Sequence, residues 1–208
     1  MKKNAFVQSN KQLAVLGLLI AVMLVMAYTP LGYFNIGPLA ITLNVIPMAI
    51  AAVALGPKGG AIIGGVFGLT SFLQCIGIGG TSAMGAVCFE INPFFAFIQR
   101  FVPRAVAGFL VGWLFEVMSK RMRTELACAI SGFFAAFLNT IFFMSALLLL
   151  YGNTDYMREL IGGRNILAFV CAFVGINAIF EMIASTVITA CVGSALSHAK
   201  LIHIPKKG

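Results

Sequence analysis

Long apolar runs constrain this chain more than any other feature. Six of them lie at about 12–28, 39–55, 60–76, 95–118, 125–150 and 165–196, each near or above the roughly 20 residues a bilayer requires of a spanning helix. In hydrocarbon every backbone N–H and C=O must be satisfied inside the protein, so runs of this length form helices. Composition agrees: 61% of residues are hydrophobic, 10% are charged, and the mean hydropathy is +1.02. A soluble domain of 208 residues has no interior large enough to hide that surface. The expected fold is all-α, a polytopic membrane protein with six transmembrane helices in a single domain over 1–208. The last run is too long for one upright helix, so it must tilt, bend or protrude.

The breaks between runs are informative. Gly56, Pro57, Lys58 and Gly59 form a tight turn, because both Pro and Gly punctuate helices. A short basic break at 119–125 carries Lys120, Arg121 and Arg123. The stretches 29–38 and 77–93 read as longer loops, and 151–164 as a loop with room for a short interfacial helix. Basic residues fall unevenly. Lys2, Lys3, Lys11, Lys58, Lys120, Arg121, Arg123, Lys200, Lys206 and Lys207 share one side, and only Arg158 and Arg164 mark the other. Positive charge collects on the cytoplasmic face, so both termini are expected to be cytoplasmic and the long loops to face outward. The same distribution removes the nucleic-acid partner that a net charge of +8 first suggests. The N-terminal lysines before an apolar run imitate a signal peptide, but the run is too long and Tyr28, Thr29 and Pro30 make a poor cleavage site, so it reads as a retained first span.

Two cations interrupt the fourth run, FIQRFVPRAVAGFLVGWLF. Arg100 and Arg104 sit four residues apart, on one helical face, with Gly108 and Gly112 continuing the stripe inward. A guanidinium at membrane depth costs at least a few kcal/mol unless it faces a cavity or a fixed partner. Two readings stand: an outward-opening site for an anionic solute, or Arg100 reaching the headgroups while Arg104 pairs with an internal carboxylate. On the first, Arg104 is the main carboxylate partner, because it lies deeper, and Arg100 adds longer-range attraction.

The last run carries Asn177, Glu181, Ser185 and Thr189 at four-residue spacing, a polar stripe that must face the interior. Counted from the outer ends of the runs, Glu181 lies about 24 Å deep, Asn177 about 18 Å and Arg104 about 13 Å. Glu181 therefore pairs with an arginine, is held protonated or meets solute. Asn139 and Thr140 of the fifth run lie near mid-membrane, as neutral solute partners or as glue between helices. In the outer loops, Tyr33 and Asn35 belong to a stiff aromatic stretch that serves as a lid or an interfacial anchor. Asn92 and Glu90 either meet polar groups of the solute or are solvated. Ala14, Gly17 and Ala21 give the first span a face of small residues for packing inside the bundle or docking on a partner. Gly60, Gly64 and Gly68 give the third span another, expected to pack internally. Cys75, Cys88, Cys128, Cys171 and Cys191 lack metal-ligand spacing and read as small hydrophobes. No HExxH, GxSxG or Walker motif is present, so no enzyme, metal or cofactor is expected.

Residues 46–72, IPMAIAAVALGPKGGAIIGGVFGLTSF, resemble the span-two to span-three signature of the substrate-binding S components of energy-coupling factor (ECF) vitamin transporters. Residues 101–115, FVPRAVAGFLVGWLF, with Leu138, Asn139 and Thr140 and the run NAIFE from Asn177 to Glu181, are similar to the pantothenate-type members. The resemblance implies a vitamin-binding subunit in a bacterial cell membrane. Its partners would be a transmembrane coupling subunit and two cytoplasmic ATPases. It implies docking through the first helix, where Gly17 and Ala21 stand in place of an AxxxA face, and a pocket made by the outer loops and the last three helices. S components for riboflavin or folate share the GPK turn, and a self-sufficient secondary carrier is the reading from another class.

Overall fold

The computed structural model describes residues 2–29, 32–35, 40–80, 82–199 and 201–202, with the backbone alone for 2–9, 33–35, 40–41, 167, 172–173 and 176. The chain runs as α1 (Lys2–Ala27), β1 (Tyr33–Asn35), β2 (Ala40–Thr42), α2 (Val45–Leu73), α3 (Ala83–Ile91), α4 (Pro93–Met118), α5 (Thr124–Tyr151), α6 (Asp155–Ile161) and α7 (Ile166–His198). A 3₁₀ turn, Gln74–Ile76, follows α2. Among the described residues five helical stretches are long and apolar enough to cross a membrane: Asn10–Ala27, Val45–Ile76, Pro93–Ser119, Thr124–Tyr151 and Asn177–His198.

The second of these absorbs two of the expected runs, but it is not straight. Gly56 has φ 73° and ψ −163°, a conformation open to glycine, and Pro57 follows with no N–H to continue the ladder. A methyl placed on Gly60 would lie 2.9 Å from the Cβ of Ala52. Eight residues along an unbroken helix would put these about 12 Å apart. The chain therefore doubles back at Gly56, and the two limbs of α2 lie side by side. The first limb, 45–55, is only about 16 Å long. Hydropathy started this run at 39, but Ala40–Thr42 forms a strand, antiparallel to β1 with Tyr33 opposite Thr42, Phe34 opposite Ile41 and Asn35 opposite Ala40. β-Branched Ile41 and Thr42 suit a strand as well as a membrane run, which is why hydropathy alone misplaces them.

The loop expected at 77–93 contains α3. Ser82 starts it, its Oγ accepting the Gly85 N–H at 3.2 Å. Asn92 ends α3 and starts α4, its Oδ1 accepting from the N–H groups of Phe94 (3.0 Å) and Phe95 (3.1 Å), with Pro93 at the first helical position. The short interfacial helix forms as α6, capped by the Thr154 hydroxyl and stopped by Gly162 in the left-handed region.

Packing centres on α4 and the second limb of α2, which run antiparallel. Gly60, Gly64 and Gly68 of that limb and Gly108 and Gly112 of α4 lie closest to backbone atoms of the other helix. A methyl on Gly60 would strike the carbonyl of Gly108, one on Gly64 the carbonyl of Arg104, and one on Gly68 would lie 2.7 Å from the Phe101 Cα. On α4, a methyl on Gly112 would lie 2.6 Å from Pro57 Cα. Small residues allow this approach, and in lipid close packing is what holds helices together. The zipper fixes the depth of Arg100 and Arg104 against the second limb of α2. Two buried hydrogen bonds tie further corners of the bundle. Gln74 Nε2 donates to the Ala27 carbonyl at 2.8 Å, and the Tyr151 hydroxyl donates to the Cys88 carbonyl at 3.1 Å.

Candidate functional site

Both arginines point inward from α4, with Arg100 5% and Arg104 4% exposed. Arg100 is thus buried inside the protein. The Arg104 guanidinium lies 4.4 Å from the centre of the Phe67 ring on α2 and 5.2 Å from that of Phe143 on α5, and Arg100 lies 5.2 Å from the Phe143 centroid. Aromatic faces attract cations more strongly away from water, so these rings hold the charges without neutralising them. Arg104 Nη1 donates to the Arg100 carbonyl at 2.6 Å.

Arg100 has weaker company. Its Nη1 and Nη2 each approach a serine hydroxyl, Ser71 and Ser82, at 3.4 Å. Its buried Nε has no hydrogen-bond partner. Among the described residues no carboxylate lies within ion-pair distance, 4.0 Å, of Arg100. Gly85 makes room for it: a methyl there would sit 2.9 Å from Nη2. Burial pushes the nearby Cys88 thiol up to about 11 despite the opposing pull of Arg100, so the thiol stays neutral and supplies no counter-charge.

The facing helices bring neutral amides and one carboxylate. Asn139 on α5 is 5% exposed, and its Oδ1 is unpaired. Thr140 beside it is half-buried. On α7, Asn177 is 7% and Glu181 6% exposed. Glu181 lies within the electrostatic reach of Arg104. Its Oε1 accepts the backbone N–H of Thr42 at 2.7 Å. The contact joins the hairpin to a residue about 24 Å down the last apolar run. The first limb of α2 is short, so β2 dips into the bundle, where a backbone N–H needs a partner as much as a carboxylate does. Tyr33 and Asn35 lie on β1, opposite Thr42 and Ala40; their side chains are outside the described residues. Asn92 is engaged in capping α4, a structural role that accounts for it.

Two buried guanidiniums on α4 thus share the protein interior with buried amides on α5 and α7 and with the Glu181 carboxylate. A family model for the ECF transporter substrate-specific component matches residues 11–193. The chain belongs to that family. It is also 32% identical to the pantothenate transporter PanT of Leuconostoc mesenteroides over 197 residues, covering 90% of this chain and 92% of the relative. It is 25% identical to the pantothenic acid transporter PanT of Lactococcus lactis over 215 residues, covering 96% and 98%.

In this S component, α1 carries Ala14, Gly17 and Ala21 on an exposed face, with nothing within 4 Å of a methyl built on Gly17. Leu13 and Leu18 flank it at 62% and 65% exposure. Sequence reasoning had not singled out Phe67, Phe143, Ser71, Ser82, Asn44 or Gln99. Gln99 and Ser71 were findable as polar residues inside apolar runs. Ser82 was not, because its value lies in the fold of α3 against α4. Asn44 and Gln99 are fully buried, and among the described residues neither side chain has a hydrogen-bond partner for its oxygen or its nitrogen.

Proposed function

We infer that this chain is the pantothenate-binding S component of an ATP-driven ECF uptake transporter, with six membrane spans and both termini in the cytoplasm. Its partners are the transmembrane coupling subunit, which docks on Ala14, Gly17 and Ala21, and two cytoplasmic ATPases. The observation that carries the reading is the pair of buried guanidiniums, one of them without a carboxylate among the described residues, facing amides on α5 and α7. Arg104 and Arg100 take the vitamin's carboxylate through charge-assisted hydrogen bonds, which are strong out of water. Asn139, Thr140 and Asn177 offer donors and acceptors for its amide and hydroxyls. The names of the two relatives point to the same solute.

The fold-back at Gly56 supports six spans, because it sends the two limbs of α2 in opposite directions. The contact of Gly112 with Pro57 puts Lys58 at the same end of the bundle as Lys120, Arg121 and Arg123, in keeping with a cytoplasmic inner face. Two experiments test these readings. Mass spectrometry of small molecules retained by the purified protein should find pantothenate; riboflavin or folate instead would overturn the assignment. An impermeant thiol reagent applied to intact cells should label cysteines introduced at 155–162 and spare those at 119–124; the opposite pattern would invert the topology.

A further inference from the structure

Gln99 stands immediately before Arg100 on α4 and is 0% exposed, yet neither its Oε1 nor its Nε2 has a hydrogen-bond partner among the described residues. It shares a buried ridge with Ala96, Pro103 and Ala107. Ala107 on that ridge belongs to a buried apolar cluster that also holds α2 residues and Ala135 and Ala136 of α5, and Ala96 to one that also holds Met84 and Cys88 of α3 and Met144 and Leu147 of α5. Any apolar side chain of similar length would fill the position without leaving a donor and an acceptor unsatisfied, so the bundle alone gives no reason for an amide. Burying both ends of an amide makes sense where a ligand supplies a donor and an acceptor together.

We propose that Gln99 is a specificity-determining residue that reads the amide edge of the solute next to its carboxylate. The proposal rests on the pantothenate reading above. The vitamin's carboxylate is separated from its amide nitrogen by only two methylenes, so with the carboxylate at the arginines its amide is the polar group nearest to α4. In an α-hydroxy amide the N–H and the hydroxyl oxygen lie on the same edge. Gln99 Oε1 accepts the N–H, and Nε2 donates to the hydroxyl oxygen. A site built to hydrogen-bond such an edge rejects an analogue that lacks it, because its own buried groups are then left unpaired.

The test is calorimetric titration of the purified chain with pantothenate and with the analogue in which an ester oxygen replaces the amide N–H. Wild type should bind the ester at least tenfold more weakly than the amide. Gln99→Met should lose at least tenfold in affinity for pantothenate, lose less for the ester, which keeps only the hydroxyl partner of Nε2, and unfold at the same or a higher temperature without ligand. Equal losses for both ligands would mark Gln99 as structural, and unchanged pantothenate affinity would remove it from the site; either overturns the proposal and spares the function. No binding of pantothenate by wild type would overturn both. If Gln99→Met does not fold, Gln99→Leu gives the same readout.

Discussion

Two faces of this molecule carry the same sequence pattern and meet opposite surroundings. Small residues recur every four positions on α1, at Gly17 and Ala21, and on α2, at Gly60, Gly64 and Gly68. On α2 the space a side chain would take is filled by the backbone of α4. On α1 a methyl at Gly17 would meet nothing within 4 Å. A small-residue stripe records a need for close approach but not the identity of the neighbour. Where the neighbour is in the same chain the stripe is architecture; on α1 no neighbour among the described residues fills it.

The strongest way to break this contrast is Gly108→Leu. The new side chain meets the Gly60 carbonyl, which cannot move aside as a flexible side chain would, so no monodisperse folded protein should survive size-exclusion chromatography. A well-behaved variant would mean the zipper is dispensable. Next, Arg104→Ala should lower solute affinity by about 2–4 kcal/mol in titrations, with lysine at this position rescuing only part because it lacks the planar fork. Unchanged affinity would move the carboxylate to Arg100 alone. Gly64→Ala joins the two effects: it pushes on the Arg104 carbonyl and should cost about 1–3 kcal/mol of stability and weaken binding in step. A stability loss with full affinity would show that the zipper does not position the arginine. The smallest effect on the isolated chain belongs to Gly17→Leu, within about 0.5 kcal/mol in thermal stability and in solute affinity. The same variant should abolish uptake in cells that express the coupling subunit and ATPases. Lost solute binding would place α1 inside the bundle after all.

Much of the architecture was legible because lipid allows so few forms. The ends of α4 and α5, the turn at Gly56 and the polar face of α7 follow from run length, glycine and proline placement and four-residue spacing. The site was legible only as far as charge goes. Arg100 and Arg104 announce themselves in an apolar run, but their burial against Phe67 and Phe143 does not, because nineteen phenylalanines in such a chain look alike. Counting depth along straight helices put Glu181 well below Arg104 and far from any loop. Its bond to Thr42 was invisible to that count, because the short limb of α2, not the length of the outer loop, decides how deep the hairpin reaches.

That short limb also bears on how the chain enters the membrane during synthesis. A stretch of about 16 Å spans roughly half of the hydrocarbon core, so it has no stable position in lipid alone. It gains one when the longer limb beyond Gly56 lies against it, which makes residues 45–73 a single inserting unit, a helical hairpin that enters together. The strand pair before it meets its carboxylate anchor on α7, 139 residues further along the chain. The backbone hydrogens of this short pair should exchange before those of α2 and α4 when the native protein opens.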